Sequence, residues 1–549
     1  MTGDSTRRGE RRRVRRRSLL KRAGAAGIAG LAGCVRFDDG VEANGPAEEL
    51  LRDGFDATGV EPPFSTTIAI TQDEERERFA QLFRDELNGT GFFDVDIERR
   101  EFGSHVDRMI AAADESENAM FVASWTGGWD PSDYVNILFH SDNHTPDGFN
   151  VNHYANERVD DRLDAGLEET DPDERVAIYR EVQEELVADS PLSFVRFRES
   201  THVWDGAVVT DWRTYPLRTG TYYGVYAPWA GVYTDLQDGT EFVGDLGSDV
   251  QNTDPVSMND TASGQATVLL YEQLVGVDFE GEPCPFLADE WERLDETTYR
   301  FSLRNGVRFH NGERLTADHV KGSLERYEGT PRESDVYDWY DGSEIVDDTT
   351  IEISCWREYG PFENALFDVP IVPMAAIDGE LDLESEPIGT GPYQLVEYES
   401  DNRWRMARFD DHWFDGDGTV PATAPIETVT LEIITEKSSR QAALEAGNVH
   451  FSGDVPSASL GDFEDDDAYG VGRHVGGGFD MVIYPSYRAP FSEQSVRRGC
   501  NMLLPRQTTL ENVYHGVGSV AYTPISPLLD AYAGEAFQES IADEYVHPN

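Results

Sequence analysis

The residues best equipped for chemistry in this 549-residue chain gather in one stretch. Trp125-Thr126-Gly127-Gly128-Trp129-Asp130-Pro131 is an aromatic, glycine-rich loop with one acid, and Asp133 follows it. Walls built from Trp125 and Trp129 would exclude water, and a carboxylate sheltered in this way holds a cation where an exposed pair is screened by salt. The plainer reading is that Asp130-Pro131 only shapes a turn. His140, His144 and His153 come next. Imidazoles can share a metal, but these lie in a Gly/Asn/Asp-rich segment without helix signals to fix ligand geometry, and no metal is expected. H-E-x-x-H, G-x-S-x-G and Walker motifs are all missing, so neither a catalytic residue nor a cofactor is expected. Gly476-Gly477-Gly478 precedes a strand and not a helix N-terminus, which makes it a turn and not a phosphate cradle.

The elements that must carry these residues alternate in type. A strand at Thr66 to Ile70 precedes an amphipathic helix with Phe79, Leu82, Phe83 and Leu87 at helical spacing. Strands at Phe93 to Ile97 and Met120 to Ala123 lead into the tryptophan loop. Asp171-Pro172-Asp173-Glu174 is a helix start for Asp173 to Val187, with acids over the positive end of the dipole. Strand signals recur at Ser193 to Arg196 and near Val208. Residues 218–240, rich in Gly, Tyr and Thr, read as a connector. Beyond them come the segment Val243 to Ser248, a helix at Ala262 to Leu274, strands at Tyr299 to Leu303 and Thr350 to Ser354, and surface loops at Asp378 to Glu386 and Asp462 to Asp467.

The N-terminus is of another kind. Arg16-Arg17-Ser18-Leu19-Leu20-Lys21, a weak apolar stretch from Ala23 to Ala32 and Leu31-Ala32-Gly33-Cys34 form a basic region, an apolar region and a small-residue cleavage site. Residues 1–34 thus read as a twin-arginine export signal ending in a lipobox, with Cys34 the lipidated residue and 35–46 a tether. No later apolar run approaches the ~20 residues of a membrane-spanning helix. The alternative, a nucleic-acid-binding arm over Arg7 to Arg22, finds no second basic patch, and no nucleic-acid partner is expected.

Composition adds a habitat. There are 105 acidic residues against 45 basic, a formal net charge of −60. Ten of the basic and two of the acidic residues precede Cys34, leaving 35 against 103 beyond it, and lysine occurs only at Lys21, Lys321 and Lys437. Such a surface suits concentrated salt, where the screening length falls to about 3 Å at 1 M, and a halophilic archaeal source is expected. With 39% hydrophobic residues, 27 Phe, 23 Tyr and 10 Trp there is ample core material. Cys284, Cys355 and Cys500 are odd in number and lack C-x-x-C spacing, which argues against a disulfide framework or structural zinc.

A series of phrases in the second half resembles one family. They run from Asn252-Thr253-Asp254-Pro255 and Leu270-Tyr271-Glu272-Gln273-Leu274-Val275 through Pro285-Phe286-Leu287-Ala288-Asp289-Glu290-Trp291 to Tyr299-Arg300-Phe301-Ser302-Leu303-Arg304-Asn305-Gly306-Val307-Arg308-Phe309-His310-Asn311-Gly312. Leu315 to Val320, Gly389-Thr390-Gly391-Pro392-Tyr393, Arg440 to Gly447 and Pro490 to Arg498 complete it. Together they resemble the family 5 solute-binding proteins, the dipeptide, oligopeptide and nickel binders of ABC importers.

The order of the halves departs from that family. The region 241–549 resembles the family's N-terminal half, and 47–217, with its tryptophan loop and Asp-Pro-x-Glu-Arg helix start, resembles the C-terminal half. The resemblance implies a circular permutant joined through 218–240. It implies an α/β, two-lobed periplasmic-binding-protein-like fold of class II with an additional small domain. It implies a membrane-anchored extracellular binder, held by a lipid on Cys34, that delivers di- or oligopeptides to an ABC permease and its ATPase subunits. In peptide-binding members the tryptophan loop supplies an acid for the ligand's amino group. Here that role falls to Asp130, or second to Asp133, with Trp125 and Trp129 as walls and Asn259, Asp260 and Thr261 lining the cleft. The alternatives are a binder of nickel chelates or another small solute, favoured if the three histidines converge, and more distantly a secreted hydrolase.

Overall fold

The computed structural model describes residues 45–547 apart from 112, 114–117 and 147. The signal, Cys34 and the tether up to residue 44 lie outside the described residues. The stretch expected as tether ends early, because helix α1 (Gly45–Thr58) starts at Gly45 and buries Ala47, Leu51 and Phe55.

One mixed seven-stranded sheet organises the part that holds the tryptophan loop. Its strands from the front of the chain are β1 (Phe64–Thr71), β2 (Phe93–Arg100), β3 (Ala119–Thr126) and β4 (Leu192–Asp205). β1 pairs in parallel with β2 and β3. Between β3 and β4 lies a strand from the far end of the chain, Tyr469–Ile483, antiparallel to both. Short strands Phe451–Ser452 and Ser519–Val520 add to β4. Alternation sends Ile68, Met120 and Val122 to one face, where helix α2 (Glu74–Gly89) packs Phe79, Phe83 and Leu87. Ala69, Phe121 and Ala123 go to the other, beneath helices Ser132–Phe139, Glu157–Glu168 and Pro172–Asp189.

Helix boundaries follow local chemistry. Asp73 accepts from the Arg76 amide ahead of three first-turn glutamates in α2, and Asp171 accepts from Asp173 and Glu174 with Pro172 in the first turn. Both are N-cap arrangements that satisfy otherwise orphaned amides.

Three two-stranded sheets and two four-stranded ones make up the rest of the sheet structure among the described residues. The first is antiparallel, in the order Ala288–Arg293, Thr298–Leu303, Thr350–Cys355, Tyr340–Asp347. The second runs Tyr393–Glu399, Arg403–Arg408, Thr428–Ile433, Glu241–Leu246, the last pair parallel. Each has its own apolar core. The architecture is α/β, three main sheets with helices packed against them.

Four local expectations are corrected. The helix begun at Ala262 does not reach Leu274 but stops at Thr267. The Leu269 and Leu270 carbonyls accept from the Tyr393 and Gly391 amides, which leaves them no helical partners. Gly476 to Gly478 form no turn and lie inside the strand Tyr469–Ile483, at a register shift between Val475 and Phe479. Of the acidic stretch Asp462 to Asp467, only Asp465 to Asp467 are loop, and Asp462 to Glu464 end a helix, Ser457–Glu464, whose Leu460 and Phe463 are buried. Residues 218–240 are no exposed linker: a 3₁₀ helix, Arg218–Gly224, buries Tyr222 and Tyr223.

Candidate functional site

Where the seven-stranded sheet faces the segment after Cys355, a cavity of about 460 Å³ opens, a size typical of small-molecule sites. One wall is the tryptophan loop from Thr126 to Asp133, with Arg198 to Ser200 of β4 and Gly476 to Gly478 beside it. The facing wall is Tyr359 to Asp368, and the crossing segment Pro216 to Thr219 forms the floor with Thr261. The two walls touch. Asn364 donates to the Trp129 carbonyl at 3.3 Å, the Gly360 amide to the Leu167 carbonyl at 2.7 Å, and Arg357 pairs with Glu168 at 3.1 Å.

Glycine is required on the sheet side. A Cβ on Gly477 would lie 2.0 Å from the Gly127 carbonyl oxygen and 2.9 Å from the Tyr134 hydroxyl. The Gly127 amide donates to the Gly477 carbonyl at 3.0 Å, so the tryptophan loop lies directly on this strand.

The two loop acids have different fates. Asp130 is 3% exposed and receives both guanidinium nitrogens of Arg175, at 2.7 and 2.8 Å, and the Ser132 amide and hydroxyl. Burial by itself would raise its pKa, but Arg175 outweighs burial and holds it below the usual carboxylate range. Asp130, expected to meet a ligand amine, is therefore committed to a protein cation. Asp133 opens onto the cavity. Its Oδ2 accepts the Gly128 and Asp130 amides at 3.1 and 3.3 Å, and it has no cationic partner among the described residues. Although its side chain is exposed to the lumen, the surrounding walls limit its hydration. That desolvation, with Asp130 and Asp368 nearby, pushes its pKa up to about 8. Asp368, on the facing wall, is also raised by burial.

The remaining expected residues divide. Trp129 and Thr261 line the cavity, and the Trp129 indole donates to the Tyr215 hydroxyl at 3.1 Å. Trp125 is not a wall; it packs on Phe149 and donates to the Asp133 carbonyl, bracing the loop from behind. Asn259 and Asp260 are not walls either. Asp260 caps the helix Thr261–Thr267 through the Ser263 amide.

The histidines do not converge. His144 and His153 pack with ring centroids 5.0 Å apart, His144 engages the Tyr154 carbonyl and His153 the Thr145 hydroxyl, and His140 turns toward Asp164 at 3.7 Å. Among the described residues no group of three or more His, Cys, Asp or Glu is placed to hold a metal. Cys284, Cys355 and Cys500 are buried free thiols. No helix among the described residues is long and apolar enough to cross a membrane.

Arg198, Arg218, Tyr359, Asn364 and Asp368 were not singled out in the sequence. The one available signal was the pair Arg196 and Arg198 in and just after the largely apolar stretch Leu192 to Phe197.

Comparison with known proteins finds similarity over part of the chain. Residues 282–545 match the profile of bacterial extracellular solute-binding proteins, family 5 Middle. The chain is similar to the glutathione-binding protein GsiB of Salmonella paratyphi A, 26% identical over 305 residues that cover 52% of this chain and 56% of the relative. It is also similar to the dipeptide-binding protein of Escherichia coli K12, 27% identical over 302 residues covering 50% and 55%. The chain thus spans about half the length of the curated relatives it matches. Among solved structures, the oligopeptide-binding protein AppA of Bacillus subtilis in complex with a nonapeptide matches with 25% identity and a TM-score of 0.36, covering 41% of this chain and 46% of the other. NikZ of Campylobacter jejuni in complex with Ni(L-His) matches with 20% identity and a TM-score of 0.37, covering 42% and 46%. These relatives are solute-binding proteins and not enzymes.

Proposed function

From the family 5 solute-binding character of residues 282–545, we propose that this chain captures a small peptide carrying a free amino group in the cleft beside the tryptophan loop and hands it to an ABC permease. The observation that carries this reading is Asp133, a cavity-facing carboxylate without a cation partner among the described residues in a walled site, while the neighbouring Asp130 is already paired. An ammonium entering there would gain a charge-assisted hydrogen bond under reduced hydration. The nickel-chelate reading has less support, because the histidines are dispersed.

The permuted order is part of the proposal. Three features support it: the strand Tyr469–Ile483 fills the place between β3 and β4, α1 packs on helix Gln494–Met502, and the segment Ala542–Val546 packs on that same helix. Two ends that meet on one helix are what a join of the family's order would need. The signal and Cys34 support export and lipid anchoring, and the acidic, lysine-poor composition supports a halophilic source.

Thermal shift in concentrated KCl against Ala-Leu, Ala-Leu-Ala, glutathione and N-acetyl-Ala-Leu tests the binding claim. Stabilisation by free-amine peptides and none by the acetylated one is expected. A panel without any shift removes the peptide reading. A chain rebuilt with 47–217 behind the second half should fold and bind alike, and failure to fold counts against the permutation.

A further inference from the structure

The acids of the cavity do not all lie on the tryptophan loop. Asp368 ends the facing wall, and its carboxylate has no hydrogen bond or ion pair among the described residues; only its carbonyl is engaged, by the Tyr327 hydroxyl at 3.2 Å. Its place is electrostatically poor. Asp368 stands at the carbonyl end of helix Phe362–Phe367, where the helix dipole disfavours an anion and a cation would be the stabilising neighbour. An acid on the outer surface of so acidic a chain is satisfied by bulk water, whereas Asp368 is exposed into a walled cavity.

No cation of the protein meets Asp133 or Asp368 among the described residues. Arg175 is held by Asp130. Arg332, whose field reaches Asp368, pairs with Asp335 at 2.7 Å and donates to the Pro255 carbonyl at 2.9 Å. Arg218 reaches Asp454 at 3.5 Å, and Arg198, across the cavity on β4, forms an ion pair with neither acid. The two carboxyls do sense each other. After desolvation and Asp130, Asp368 is the next cause that holds the Asp133 pKa up.

A solute with a single ammonium answers only one wall. Once seated at Asp133 it would keep water from Asp368 as well, and a carboxylate desolvated without a counter-charge is costly. A second cation on the same solute removes that cost.

We propose that Asp368 is a second cation-binding residue of this cleft and that the solute is a peptide whose first residue is basic, its α-ammonium at Asp133 and its side-chain cation at Asp368. The proposal rests on the reading of this cleft as the solute site with Asp133 at the amine. A lysine side chain suits the span, because a flexible stem carries a compact ammonium with three donors. Its methylenes can lie along Tyr359 and Phe367 of the same wall while the charged head stays at the acid.

Calorimetric titration of the full chain in concentrated KCl with Lys-Ala and with norleucyl-Ala, which keeps the stem and lacks the charge, tests it. Lys-Ala should bind about 10-fold or more tightly than norleucyl-Ala. Asp368→Asn should bring that ratio toward one, with Lys-Ala losing more than norleucyl-Ala, and Asp368→Glu should keep part of the preference. Asp368→Asn should fold as well as the unaltered chain, read by circular dichroism, since an anion leaves the carbonyl end of the helix. Equal binding of the two peptides by the unaltered chain overturns the second cation site and leaves the peptide reading standing. So does a preference for Lys-Ala that survives in folded Asp368→Asn protein. Binding of no peptide overturns both.

Discussion

Asp130 and Asp133 lie three residues apart, on the same loop and against the same cavity, yet one is sequestered and the other is open. Asp130 lies behind the wall with Arg175, where a two-pronged guanidinium satisfies both oxygens. Asp133 is held by two backbone amides and faces the lumen. A second comparison repeats the pattern on β4: Arg196 is closed off by Asp480, and Arg198, two residues on, has no partner of its own among the described residues. Charges that the protein neutralises internally build the lobe. Charges it leaves unneutralised on the cleft walls are those a solute can use, because an unpaired charge with limited hydration gains most from an incoming counter-charge.

The largest test of this contrast is to remove the sequestered acid. Asp130→Ala should cost about 3–5 kcal/mol of folding stability, since it strands Arg175, measured by denaturant unfolding in KCl, and the protein that remains folded should still bind. If Asp130→Ala keeps its stability and loses binding, the roles of the two acids are reversed. Asp133→Asn should do the opposite, lowering affinity for free-amine peptides by about 2–4 kcal/mol in calorimetry with no loss of stability. Gly477→Ala should cost about 1–3 kcal/mol of stability through overpacking against the Gly127 carbonyl, and it should weaken binding by displacing the loop.

The smallest effect is on pH. Because desolvation with Asp130 and Asp368 nearby pushes the Asp133 pKa up to about 8, the carboxyl holds a proton at neutral pH, and an ammonium must displace it. Binding near pH 7 should release close to one proton, read from titrations in buffers of different ionisation enthalpy, and affinity should rise as pH climbs from 6 to 8. Above roughly 8 the peptide's own amine loses its charge and the gain ends. Without ligand, a raised acid favours the folded state in its protonated form, so this contribution to stability is present at low pH and fades as pH rises through about 8. Asp133→Asn should abolish both dependences. A proton balance of zero in the unaltered chain would separate Asp133 from the ammonium.

Much of the scaffold was legible because periodicity and capping are local. The Phe79, Phe83, Leu87 spacing gave α2, and Asp171-Pro172 gave the start of the following long helix, as the structure has them. The helix from Ala262 was overextended because what ends it is a distant segment, Gly391 to Tyr393, taking its carbonyls. Within the site, the tryptophan loop was visible as a cluster, but the choice between its two acids was not. It depends on Arg175, 45 residues away and brought close by a helix packed on the sheet. Arg198 could not be phased from β4 alone, since register shifts against Tyr469–Ile483 reset the two-residue alternation: Phe194 and Phe197 fall in one core and Val195 in the other.

The sequence by itself determined the acidic, lysine-poor character of the chain, its alternating α/β elements and the loop that walls the cavity, because composition, periodicity and motif are properties of neighbours along the chain. Only the tertiary structure decided which charges are spent on the protein and which remain for a solute. That depends on which carboxylate meets which guanidinium across a sheet assembled from both ends of the chain, and no short-range pattern encodes such a meeting.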